Sequence, residues 1–181
     1  MKPYDYAHRT GVRPLTWDDF ANLAARLAEL VEPFHPELVL GIARAGLFPA
    51  TAVACSLRCE LYPIRLTRRL NGEVLYDQPV WKVPIPPEVS GKVVVIIDEI
   101  SDTGQTLALA SHKAMSMGVL QVVTASLVSH SWANPFPDIV ALNTDEFVIF
   151  PWDARVLVKG QWVQHPEIIA GLKAQGKTSP G

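Results

Sequence analysis

The sequence predicts an α/β domain with a mostly parallel central sheet flanked by helices. Short apolar, β-branched runs alternate with helical segments, and polar small-residue turns connect each run to the helix after it. Parallel strands need long return connections, and right-handed helical crossovers supply them. A chain of 181 residues is long enough for one sizeable core and short for two, so a single domain over 1–181 is expected.

Residues 1–14 read as an irregular arm. Thr16 then caps a helix, TWDDFANLAARLAELV, with Asp18 and Asp19 in the first turn, where carboxylates complement the dipole. Phe20, Leu23, Leu27 and Leu30 recur at helical spacing, and Pro33 and Pro36 end the pattern. LVLGIA (38–43) suits a strand buried on both faces. It passes through Arg44-Ala45-Gly46 into a helix, LFPATAVACSL, and then a second strand, ELYPIRL (60–66).

Residues 67–90 form a long polar, proline-rich excursion with a hairpin signal at Asn71-Gly72. Excursions of that length in a compact domain are usually functional. Strand KVVVIID (92–98) leads through a polar turn into helix QTLALASHKAMSM, which Gly118 stops. LQVVTASLV (120–128) is a further buried strand. A proline-rich loop then precedes FVIF (147–150) and Pro151-Trp152-Asp153, and the tail from Gly171 onward is expected to fray.

Composition narrows the function classes. Charged residues make up 19% and the net charge is −2, so there is no electrostatic case for nucleic acid or an anionic membrane as partner. No apolar run approaches the roughly 20 residues of a membrane span. MKPYDYAHRTGVRP carries no apolar signal core, so a cytoplasmic location without export is expected. Cys55 and Cys59 read as small buried hydrophobes, and the five histidines lack zinc-site spacing. The phosphate-loop patterns G-x-x-x-x-G-K-[ST] and G-x-G-x-x-G are both missing.

The chemistry concentrates in VVVIIDEISDTGQTLALA, residues 93–110. A β-branched run ends in two acids, Asp98 and Glu99, at the strand edge where open α/β sheets bind ligands. Adjacent carboxylates repel each other, and they make sense as receivers of hydroxyl donors or of a hydrated divalent cation. Asp102-Thr103-Gly104-Gln105-Thr106 then opens a helix, and its backbone N–H groups, two hydroxyls and positive helix end can wrap a phosphate. Gly104 lets the backbone approach closely. The bland alternative is a solvated loop in which Asp102 merely caps the helix.

IIDEISDTGQT resembles the phosphoribosyl diphosphate (PRPP) signature of type I phosphoribosyltransferases: an apolar strand, two acids, then D-T-G-x-T. LGIARAGLFPA resembles that family's diphosphate-binding loop, and TWDDFANLAARLAEL with FVIFPWD resembles the bacterial xanthine-guanine and hypoxanthine members. The resemblance covers roughly residues 15–153. It implies a three-layer fold with a small C-terminal hood, base-binding over 130–160, and a mobile lid over 67–90. It implies transfer of a 5-phosphoribosyl group from PRPP to a nitrogenous, purine-like base, with Mg²⁺ and in a homodimer or homotetramer.

Residue by residue, the resemblance assigns Asp98 and Glu99 to the ribose hydroxyls, directly or through Mg²⁺ waters. Asp102 becomes the candidate proton acceptor, and Thr103, Gly104, Gln105 and Thr106 hold the 5-phosphate. Arg44, Ala45 and Gly46 meet the diphosphate. Phe147 stacks on the base, Asp153 lies near base or metal, and Trp152 is packing. Arg65, Arg68, Arg69 and Lys82 are the lid cations that would close over phosphate. Two positions depart from the family pattern. Ala45 stands where glycine usually follows the loop arginine, often at a cis bond, which leaves open whether Arg44–Ala45 is cis. His130 stands where purine members carry a base-reading lysine; a neutral imidazole donates one N–H and titrates near neutral pH. The competing class is a PRPP-binding regulator that keeps the fold without turnover.

Overall fold

The computed structural model describes residues 8–67, 69–70, 73–74 and 79–177. Strand β1 (Val12–Pro14) and helix α1 (Trp17–Val31) come first, followed by β2 (Leu38–Ile42), α2 (Leu47–Leu57) and β3 (Glu60–Thr67). The short β4 (Arg69–Leu70), β5 (Glu73–Val74) and β6 (Val80–Val83) precede β7 (Val93–Ser101), α3 (Gln105–Met115) and β8 (Gln121–Ser129). The chain closes with β9 (Ile139–Asn143), β10 (Phe147–Ile149), β11 (Arg155–Val158), β12 (Gln161–Gln164) and α4 (Pro166–Ala174). Its residues divide into two compact units, 23–144 and 2–22 with 145–181.

The larger unit is a six-stranded sheet in the order β6-β3-β2-β7-β8-β9. All neighbours run parallel except β6, which is antiparallel to β3. Register puts Leu38 beside Val94 and Leu40 beside Ile96, so these side chains share one face of the sheet. There they form a core with Leu107, Ala110 and Ala114 of α3. Val39, Val95 and Ile97 lie on the opposite face and are equally buried. Gly41 lies on that face too, against Leu47 and Ala50 of α2. Helix, sheet and helix thus make three layers, as the alternating pattern requires.

Strand order fixes the crevice. From β2 the chain crosses to β3 on one side, then returns to place β7 on the other side of β2. The carboxyl ends of β2 and β7 therefore face a topological switch point, where open α/β sheets bind their ligands.

Several elements differ from sequence expectation. The first residues are not wholly irregular, because Val12–Pro14 pair parallel with Phe147–Ile149. The 67–90 excursion returns to the sheet, with Thr67 opposite Val80 on the β3–β6 edge. The Asn71-Gly72 turn lies outside the described residues. The proline-rich stretch before Phe147, expected as loop, contains β9, in which Ile139 and Ala141 are buried and whose ladder runs along β8. Asp138 ties the two strands, accepting from the Thr124 backbone N–H and hydroxyl at 2.8 and 2.7 Å.

The smaller unit packs Phe147, Ile149, Ile168 and Leu172 together. Leu172 belongs to α4, so order extends beyond Gly171, where fraying was expected. The β11–β12 hairpin turns through Lys159 and Gly160, both at positive φ. At the start of α1, the Asp19 N–H donates to the Thr16 hydroxyl at 3.1 Å while Asp19 accepts from the Thr16 N–H at 2.8 Å. Both expectations for that helix start hold. Cys55 is exposed and Cys59 half-buried, contrary to the buried pair expected, because Cys59 follows the end of α2 and Cys55 faces outward.

Ile96 is fully buried in the central strand of the larger core. Ile96→Ala is expected to cost about 2–5 kcal/mol, measured as a fall in the urea midpoint at unchanged slope.

Candidate active site

β7 runs to Ser101, three residues past Asp98, so the acid pair lies in the carboxyl-terminal half of the strand. Asp98 is opposite Ser126 and Ser101 opposite Ser129, and this pairing with β8 holds the backbone straight up to the turn. Asp98 is only 8% exposed and its Oδ1 accepts from the Glu99 N–H at 2.9 Å, while Glu99 is half-buried. Burial, and then the neighbouring Glu99 carboxylate, push the Asp98 carboxyl well above its usual range.

The loop after β2 meets this acid. A Cβ on Gly46 would stand 2.6 Å from the Ile42 carbonyl oxygen and 2.9 Å from Asp98 Oδ1, so only glycine permits the approach. Arg44 is exposed, Ala45 half-buried, and the cis bond of this loop is Ala43–Arg44, one bond before Arg44–Ala45. The Leu47 and Phe48 amides donate back to the Arg44 and Ala45 carbonyls at 3.2 and 3.0 Å, turning the chain into α2. Arg44 also borders a groove of about 560 Å³ lined by Leu47, Phe48, Thr51 and Ala52.

On the other side of the acids, Gly104 precedes α3 at φ 79°, and no side chain caps the helix. The first amides of α3 therefore have no acceptor from the helix or from a cap. Asp102 is not the cap; its Oδ1 accepts from the Trp132 indole N–H at 3.2 Å. Thr103 and Gln105 are exposed and Thr106 half-buried, so the turn presents its amides and hydroxyls outward. A Cβ on Gly104 would run into the Pro135 carbonyl oxygen, which seats the turn on the loop after β8.

His130 differs from expectation. Its ring has no exposed surface, because Nδ1 lies 2.6 Å from the Thr144 carbonyl and Trp132 stacks on it at 4.4 Å. That is the setting of a buried ring, not of a side chain open to solvent. Phe147 is 8% exposed, packed in the smaller core with the Arg9 guanidinium 5.7 Å above its ring. That is the setting of a core aromatic, not of an open stacking face. Trp152 packs as expected, stacked on Phe150 at 4.8 Å and edge-on to Phe20 at 5.3 Å. Asp153 is exposed and borders a cavity of about 60 Å³ with Phe147, His165 and Glu167 in the smaller unit. Of the lid cations, Arg65 is half-buried on β3, Lys82 exposed on β6, and Arg69 in β4. Arg68 lies outside the described residues.

The donor set suits Mg²⁺ shared with a substrate. Among the described residues no three His, Cys, Asp or Glu side chains gather to hold a metal alone. Two adjacent carboxylates are present, and Mg²⁺ typically takes one or two carboxylates while keeping waters and substrate phosphates.

A helix-opening turn, an acid pair and an arginine loop at one switch point define an α/β protein built to receive a phosphorylated ligand. The chain belongs to the phosphoribosyl transferase domain family, whose pattern it matches over residues 14–159. It is 28% identical over 158 residues to the xanthine-guanine phosphoribosyltransferase of Nitratidesulfovibrio vulgaris, covering 86% of this chain and 93% of that protein. Over 116 residues it is 27% identical to the adenine phosphoribosyltransferase of Rhodospirillum centenum, covering 60% and 68%. The crystal structure of a purine phosphoribosyltransferase from Pyrococcus horikoshii Ot3 superposes with a TM-score of 0.70 at 28% identity, covering 81% of this chain and 97% of that one.

The raised Asp98 carboxyl sets a sign. An unfolded aspartate titrates near about 3.9, so between that value and the higher folded one the native state binds the extra proton. Stability of the unliganded protein therefore falls as pH rises through this window. Asp98→Asn is expected to raise the melting temperature of the unliganded protein at pH 7, with the gain shrinking toward pH 4. A loss of stability at pH 7 would show that the carboxylate is held by an ion pair.

Proposed function

We propose that this protein transfers the 5-phosphoribosyl group of PRPP to a nitrogenous base of the purine class and releases diphosphate. The observation that carries this reading is the contact of Gly46 with Asp98, which joins the arginine loop and the acid pair at the switch point beside the turn that opens α3.

In the reaction the bond from the ribose anomeric carbon to the diphosphate oxygen breaks, and a bond from that carbon to a base nitrogen forms. Positive charge builds on the sugar and negative charge on the leaving group. The amides and hydroxyls of Thr103–Thr106 anchor the 5-phosphate at the positive end of α3. Asp98 and Glu99 take the ribose hydroxyls. Arg44, with the backbone of Ala45 and Gly46, receives the diphosphate and stabilises it as it departs. Asp98 and Glu99 would hold Mg²⁺, which would supply further charge neutralisation on the diphosphate. The base N–H proton passes to Asp102, a step worth about 10² to 10⁴-fold as general base catalysis.

The 130–160 segment, with Phe147 and Asp153, is assigned to the base side as a hood, Asp153 near base or metal. Phe147 then acts by holding the hood's core. Arg65, Arg68, Arg69 and Lys82 belong to the lid that excludes water from the developing cation. His130 supports this site from beneath and does not read the base. On this reading the enzyme works as one domain in the cytoplasm, as a homodimer or homotetramer, and binds neither nucleic acid nor membrane. No helix among the described residues is long and apolar enough to cross a membrane.

Diphosphate release from PRPP and Mg²⁺, screened against adenine, guanine, xanthine and hypoxanthine, is expected to show turnover with at least one base. Binding without turnover on any base would make the protein a PRPP-binding regulator. PRPP with Mg²⁺ is also expected to raise the melting temperature by binding the native state. Thr103→Val with Thr106→Val removes that shift and leaves the unliganded melting temperature in place. A full shift in the double variant would move the phosphate elsewhere.

A further inference from the structure

The loop after β8 brings an unassigned side chain onto Asp102. A carbonyl oxygen only accepts, so the 2.6 Å contact with Thr144 fixes the hydrogen of His130 on Nδ1 and pins the ring to the backbone. Trp132 lies nearly parallel on that ring, 4.4 Å away with the planes 19° apart. From this platform its indole N–H donates to Asp102 Oδ1 at 3.2 Å, and His130 Nε2 lies 3.9 Å from the same oxygen.

The backbone supports this placement. The His130 amide donates to the Ser101 carbonyl at 3.2 Å, the Ala133 amide to the His130 carbonyl at 3.1 Å, and the Asn134 amide to the Thr103 carbonyl at 3.1 Å. The loop is thus fastened on both sides of Asp102. Trp132 is 38% exposed, so its contact with Asp102 is not forced by burial. A half-exposed aspartate has two rotatable bonds, and a general base must hold one geometry within hydrogen-bond reach of its proton.

We propose that Trp132 is a positioning residue for the reaction: held flat on the buried His130 ring, its indole N–H fixes the Asp102 carboxylate in the geometry that accepts the base proton. This rests on Asp102 being the proton acceptor. It also gives His130 a role that its burial permits, as the anchor of the tryptophan.

Trp132→Phe keeps an aromatic ring, smaller than indole, over His130 and removes the N–H. With PRPP, Mg²⁺ and whichever purine base turns over fastest, kcat is expected to fall about tenfold, the scale of a lost hydrogen bond to a charged group. KM for PRPP and the melting shift with PRPP and Mg²⁺ stay unchanged. In an Asp102→Asn background the same substitution lowers the rate no further, because the two residues serve one function. In ¹H–¹⁵N spectra the Trp132 indole resonance, identified by its loss in Trp132→Phe, moves in Asp102→Asn. Parental kcat in Trp132→Phe, effects of the two substitutions that multiply, or an unmoved indole resonance would each overturn the proposal. An Asp102→Asn enzyme as fast as the parent would remove Asp102 as the base, and the positioning role with it. A displaced indole resonance in that enzyme would locate the failure in the assignment of the base, not in the contact.

Discussion

Asp98 is buried at the carboxyl end of the central strand, with Gly46 pressed against its Oδ1 and Glu99 beside it. A carboxylate in that setting loses its hydration and meets a like charge, and both effects favour the neutral acid. Nothing in the sheet requires an acid there: Val95, Ile96 and Ile97 just before it are fully buried apolar residues. An unfavourable acid at the switch point of an α/β sheet marks function, not stability. The surrounding loops follow from it. Gly46 brings the arginine loop onto the acid, and β7 carries on to Ser101 before the chain turns into α3. The loop after β8 then closes over that turn through Pro135 and Asn134.

The two units have separate cores. The larger carries the acid pair on β7, with the turn that opens α3 and the arginine loop leaving neighbouring parallel strands, so strand register sets where these loops begin. A site on rigid elements keeps the tight geometry that phosphoryl-ester recognition needs. The smaller unit builds its core on Phe147, Ile149, Ile168 and Leu172, with the aromatic cluster of Trp17, Phe20, Phe150 and Trp152 beside the start of α1. Phe147 carries that core, which explains why an aromatic expected to stack on a ligand is buried.

Much of this was legible in the residues. β2 is an unbroken apolar run, β7 opens on one at Val93–Ile97 and β8 is mostly apolar, as strands buried on both faces are, and α2 occupies the predicted Leu47–Leu57. The Asp98–Thr106 segment was legible because strand, acids, turn and helix follow one another in the chain. β9 was hidden, since IVALN is a short run among prolines, and β11–β12 is almost wholly exposed with a Lys-Gly turn in place of Asn-Gly. Missing β9 had a consequence at the site. Thr144, just past that strand, supplies the carbonyl that holds His130, so a histidine expected at a ligand is instead buried. The role of Trp132 is not legible in the sequence because its contact with Asp102, thirty positions away, is created by the β7–β8 register.

On the proposed function, the acid pair, the arginine loop and the α3 turn together form one Mg²⁺-dependent PRPP site. Calorimetric titration of the protein with PRPP, with and without Mg²⁺, tests it most directly. One site per chain is expected, with affinity falling about tenfold or more when Mg²⁺ is withheld, the scale of losing charged contacts to the diphosphate. Equal affinity with and without Mg²⁺, or no binding heat in either case, would contradict it.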